Sequence, residues 1–210
     1  MTNDIASPAT QLGFDSLLAN ADSDNHARKF ARETAHLPAD MADAIPYFRS
    51  LIDSHNAAML AADVEETTRL REKANLLAVQ LNEGKPGILA DENSPGNVLT
   101  RETAAPSGAV PLWGQAGDFI ITVAGTRIRI EQDGIFGICC GITYWPGLSA
   151  HVVDRDKPFI SETGYRSFLG FHLDLEAGLT PDKIAERLIA AYIRDELKGR
   201  LCTLDDRYSR

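Results

Sequence analysis

The chain reads as an α+β protein: a helical N-terminal segment containing an αα-hairpin, then an antiparallel β-sheet arranged as a meander and covered by a C-terminal helix. Three observations predict this. Apolar residues recur at three- and four-residue spacing between positions 46 and 81. They recur at two-residue spacing from Asp118 onward, and the helical period returns between Thr180 and Gly199.

Taken in order, residues 1–23 have weak periodicity, with Leu12, Phe14, Leu17 and Leu18 as their apolar cluster, and read as a flexible tail. The helical region spans 24–84. Asp24 is placed to cap a first helix that Pro38 stops. Pro46 suits the first turn of a second helix, whose face carries Phe48, Leu51, Ile52, His55, Met59 and Ala62. Asp63-Val-Glu-Glu66 resembles a capping box and opens a third helix with Val64, Leu70, Ala74, Leu77 and Leu81 on one stripe. Two such helices joined by a capped turn make an αα-hairpin. His55 falls on the apolar stripe and reads as a core or rim histidine.

Residues 85–117 are rich in Gly, Pro, Ser and Asn and form a connection, with the boundary between helical and sheet halves expected near residue 105. Trp113 within it is an aromatic anchor for the core. In the region 118–200, Phe119, Ile121 and Val123 alternate with Ile120 and Thr122. Ala124-Gly125-Thr126 turns the chain, and Ile128 and Ile130 then alternate with Arg127, Arg129 and Glu131. Gln132-Asp133-Gly134 reads as a second turn, followed by a strand over 135–140. Further strands are expected over Leu148–Val153 and Tyr165–Leu173. Thr180 caps and Pro181 starts the last helix, whose apolar face is Ile184, Leu188, Ile189, Tyr192, Ile193 and Leu197; residues 201–210 form a tail.

Composition bounds the function. The chain has 210 residues, 44% hydrophobic and 24% charged, in the range of soluble globular proteins. It has no apolar run of membrane-helix length, and its start lacks the pattern of a signal peptide. Three cysteines, two of them adjacent at 139 and 140, do not make a disulfide framework, so a cytoplasmic location is expected. The net charge of −9 is concentrated in residues 1–100, with 8 basic and 15 acidic residues. That balance disfavours nucleic acid and anionic lipid, and suits a basic protein partner.

The densest polar stretch, 144–171, is the expected contact surface. Trp145, Glu162, Thr163, Tyr165 and Arg166 are the candidate binding residues, because aromatics and arginine dominate protein interfaces. The same stretch is also readable as an ordinary hairpin turn about Gly164. A hydrolase-type alternative uses His151 as base with Ser161 or Cys140 as nucleophile. A second alternative, single-strand nucleic-acid binding, uses Arg127, Arg129, Arg155, Lys157 and Arg166 with Trp145, Phe159 and Tyr165, although acidic residues are interspersed. Phosphate-loop and dinucleotide glycine motifs are absent, as are zinc spacings, so no cofactor and no metal are expected. A metal at His151, Asp154 and His172 would need an unprompted strand register. The reading that follows is a non-catalytic, regulatory protein-binding protein, with an acidic inhibitor of a nucleic-acid-handling protein as its specific variant.

Overall fold

The computed structural model describes residues 8–137, 145–169 and 176–208, with side chains from residue 16 onward except residue 23. The chain divides into two compact units, residues 1–37 and residues 38–210. In this division the helical hairpin and the sheet belong to one unit.

In the described part of the first unit there is one helix, α1 (Pro8–Thr34). It passes through Asp24 without a break, where a helix start was expected. Asp24 is therefore an interior residue of the helix and not its cap. Its described side chains are mostly exposed, Leu17 and Leu18 included.

The second unit begins with α2 (Met41–Leu60) and α3 (Val64–Leu81), the expected αα-hairpin. Asp40 caps α2 by accepting from Asp43 N, which places Pro46 one turn inside the helix rather than in its first turn. Asp63 caps α3 by accepting from Glu66 N at 3.0 Å. The Glu66 carboxylate turns to Arg69 instead of reaching back to Asp63, so only half of the capping box forms. The connection carries a short helix, α4 (Pro95–Glu102), that packs on α2 and α3.

Four strands follow in sequential antiparallel order: β1 (Gly117–Val123), β2 (Thr126–Gln132), β3 (Leu148–Val152) and β4 (Tyr165–Phe168). Val123 pairs with Thr126, leaving a two-residue loop in which Ala124 and Gly125 both have positive φ, 50° and 77°. That is the twist-matched hairpin geometry. The strand expected over 135–140 is corrected: its described part, 135–137, is a turn. Ile135 N donates to Gly114 O, and the Phe136 ring stacks on Phe48 at 5.3 Å, which draws the chain off the sheet. The Asp133-Gly134 pair makes no tight hairpin, since Asp133 N donates to Gly147 O and β2 pairs with β3. Cys139, Cys140, Tyr144 and His172, and the end of the strand expected through Leu173, lie outside the described residues.

One face of the sheet is the core. Phe119, Ile121, Ile128, Ile130, Leu148, Ala150 and Phe168 point into it, and α5 (Pro181–Asp195) lays Ile184, Ile189 and Ile193 over them. Trp113 and Trp145 close this core with ring centroids 5.3 Å apart. Trp113 is held from three sides: its N–H donates to Asn56 Oδ1, its carbonyl is 3.0 Å from His55 Nδ1, and its indole N–H donates to Leu179 O at 2.7 Å. None of the described helices is long and apolar enough to cross a membrane.

His55 shows how the hairpin is tied to the connection. Arg71 Nε lies 3.0 Å from His55 Nε2 and can only donate, so Nε2 accepts and the ring proton sits on Nδ1, facing Trp113 O. Burial, then the Arg71 charge, lowers the His55 pKa to about 4, against the opposing pull of the Trp113 carbonyl. The imidazole is a neutral structural link.

Candidate functional site

The other face of the sheet is open. Strand alternation and register build one ladder across all four strands, Ile120–Arg129–His151–Tyr165, beside a second, Asp118–Glu131–Ser149–Ser167. Ile120 and Tyr165 are about half exposed, at 54% and 47%. The His151 ring meets the Tyr165 ring edge-on at 5.1 Å, and Ser149 Oγ shares a 3.2 Å hydrogen bond with the Tyr165 hydroxyl. His151 Nε2 lies 3.1 Å from Glu131 Oε2. The pair has ion-pair distance without hydrogen-bond directionality, since that nitrogen has no hydrogen-bond partner among the described residues. At one end of this face Asp154 holds both Arg127 and Lys157, and the hydrogen bond from Arg127 chiefly holds its carboxyl down at about 2.

The residues expected to form the contact surface divide between different environments. Trp145 is buried, at 1% exposure, with its ring against Trp113. Arg166 stands opposite Ala150 on the core side of β4 and lays its guanidinium over Tyr192 at 4.6 Å. Glu162 and Thr163 are exposed in the turn before β4, and Tyr165 is on the open face. Gly164 takes φ 72° there, and a Cβ on it would sit 2.8 Å from Val152 Cγ1.

Of the hydrolase-type residues, the two that are described, His151 and Ser161, do not form a nucleophile–base pair. The Ser161 hydroxyl donates to Tyr165 O at 2.7 Å and accepts from Tyr165 N at 3.1 Å, so it closes the turn. His151 faces Glu131 and Tyr165, and Cys140 lies outside the described residues. The nucleic-acid set is dispersed too. Phe159 and Trp145 are buried, Arg127 and Lys157 are held by Asp154, and Arg155 donates to Tyr208 O. No metal-binding group of His, Cys, Asp or Glu occurs among the described residues.

A cavity of about 320 Å³ opens where the sheet meets α4, lined in part by Asn97, Asp118, Arg129, Glu131, Gln132 and Asp133. Sequence reasoning did not single it out. Asp118, Glu131 and Asp133 are spread over two strands and a loop end, and only the register brings them together. The one available sign was the Asp133-Gly134 pair, which reads more simply as a turn.

Fold and surface together define a small α+β module: a four-stranded antiparallel meander, backed by a helix on one side and presenting a polar, partly apolar ladder on the other. Residues 116–204, which hold all four strands and α5, match the family model described as the KlcB third domain. Two Escherichia coli proteins, each described as Protein KlcB, are similar to the chain. One is 31% identical over 164 residues, covering 77% of this chain and 39% of the relative. The other is 32% identical over 169 residues, covering 79% of this chain and 35% of the relative. The chain thus spans well under half the length of these curated relatives. No solved structure matches it.

Proposed function

We propose that this chain is a non-catalytic, cytoplasmic protein-binding module of regulatory type, whose contact surface is the open face of the sheet. The observation that supports it is the Ile120–Arg129–His151–Tyr165 ladder, with two half-exposed hydrophobic side chains flanking a guanidinium and an imidazole. Exposed apolar groups set among oriented polar ones are the composition of an interface centre. The ladder is carried on a rigid sheet, so little side-chain order has to be created on binding.

The net charge of −9 favours a basic partner. Exposed carboxylates on the helical hairpin, such as Asp43, Asp53 and Glu72, add to that field, while Glu66 and Glu83 are paired with Arg69 and Lys85. Inhibition of a basic, nucleic-acid-handling protein is the specific form of this reading.

The test is capture of a partner from cell extract on the immobilised full chain, at low and high salt, with Ile120→Asp and Tyr165→Ala run alongside. The expected result is one stoichiometric protein, weakened by salt and lost with either variant at unchanged Tm. A partner retained equally by both variants would sink this choice of surface.

A further inference from the structure

The cavity at the junction of β1, β2 and α4 has a chemistry of its own. Asp118, Glu131 and Asp133 line it with Arg129 as the only cation among the described residues, an excess of two negative charges when all three carboxyls are ionised. One charged group in its lining is short of hydrogen bonds. Asp133 makes no side-chain hydrogen bond among the described residues, and burial, followed by the nearby Glu131 charge, raises its pKa. Gln132, 1% exposed, spends its Nε2 on Leu112 O and Gln115 O, and its Oε1, without a partner among the described residues, is equally buried and out of a ligand's reach. A buried acceptor left unpaired costs on the order of 1–3 kcal/mol. The walls are tight around the carboxyl: a Cβ on Gly137 would collide with Asp133, and one on Gly147 would lie 2.5 Å from its Oδ2. The carboxyl is therefore held in place by backbone on two sides.

Such a lining calls for a ligand that carries several N–H donors and a positive charge. Anionic and purely apolar ligands would leave the acceptors unpaired and, in the first case, face a repulsive field. Arg129, of the contact ladder, and Glu131, of the ladder beside it, both line this cavity, so the cavity is continuous with the open face. Its volume is ample for one long side chain, which on this face would come from the bound protein.

We propose that the cavity is the pocket for a lysine or arginine side chain of the partner, with Asp133 as its main counter-charge and Glu131 and Asp118 at its mouth. This inference rests on the protein-binding reading and specifies its partner's chemistry. The basic side chain brings to Asp133 the compensation that this carboxylate lacks in the free chain, and the pocket, rather than the net charge, then selects which basic surface is bound.

The experiment uses the full chain labelled for NMR and titrated with N-acetyl-arginine amide and N-acetyl-lysine amide, with N-acetyl-citrulline amide as the uncharged control. Saturable shifts confined to the amides of Ala116, Gly117 and Gly134 are expected with one or both basic probes. Citrulline should bind at least tenfold more weakly, and Asp133→Asn should weaken the basic probes at least tenfold. Because Asp133→Asn removes a disfavoured buried charge, its Tm should be equal or higher, which separates loss of the pocket from loss of the fold. Asp118→Asn, at the mouth, should have a smaller effect in the same direction. Equal binding of citrulline, shifts elsewhere on the surface, or an Asp133→Asn chain that binds as before would overturn the pocket. Those outcomes leave the ladder untouched, since the Ile120→Asp capture test reads the wider protein-binding proposal separately.

Discussion

The two faces of the sheet come from the same four strands, and they obey opposite rules. On β2 the side chains of Ile128 and Ile130 are 0% and 1% exposed, while Arg127 and Glu131 on either side of them are in solvent. The buried face is uniform: aliphatic and aromatic groups that α5 and two tryptophans complete. The open face is heterogeneous, with isoleucine, arginine, histidine and tyrosine in one row. A face under packing constraint is chosen for volume, and a face under none can carry chemistry. The heterogeneity of the open face is what directs a functional reading there.

The sharpest way to break this comparison is to truncate equivalent bulk on each side. Trp113→Ala removes a fully buried ring and orphans Leu179 O, and should cost about 3–5 kcal/mol in urea unfolding. Ile120→Ser on the open face should stay within about 0.5 kcal/mol of the parent. A large loss from Ile120→Ser would mean that the open face is packed and unavailable.

The next effect in size is pH dependence on the buried side. His55 has a folded pKa of about 4, below the ordinary 6.5, so the unfolded chain takes up the proton first. Its contribution is therefore complete above pH 6.5 and is lost as pH falls toward 4, by roughly 3 kcal/mol over that window. Unfolding measured between pH 4 and 7 should show this slope, and His55→Gln should flatten it.

The smallest effect concerns the turn that decides which side chain lies on which face. Ala124 holds φ 50° in a two-residue loop where Asn is better suited. Ala124→Asn should stabilise by about 0.5–1 kcal/mol in thermal unfolding, with the register unchanged. A slip of one residue would exchange the two faces entirely, and would appear as altered amide protection along β1 and β2.

Much of this was written in local sequence. The period of two in Phe119–Glu131 set the inner and outer residues of both strands, and the caps at Asp63 and the Thr180-Pro181 start marked α3 and α5 where they form. Other features were decided only by packing. Trp145 and Tyr165 are equal as interface residue types, yet one is closed in by Trp113 and the other stands on an open strand face. Arg166 and Tyr165 are neighbours in sequence and lie on opposite sides of the sheet by strand parity, which the strand expected from Tyr165 onward already implied. The segment after Gly134 has the composition of a strand, but Gly114 and Phe48 offer Ile135 and Phe136 better partners than a sheet edge does.

The sequence by itself determined the order of elements and the polarity of each face, because helical and strand periodicity are properties of neighbouring residues. The tertiary structure alone decided the cavity, where Asp118, Glu131 and Asp133 converge from different elements. It also decided which aromatics are buried. Both depend on register and on contacts between residues far apart in the chain, and no local pattern encodes the energy of those contacts.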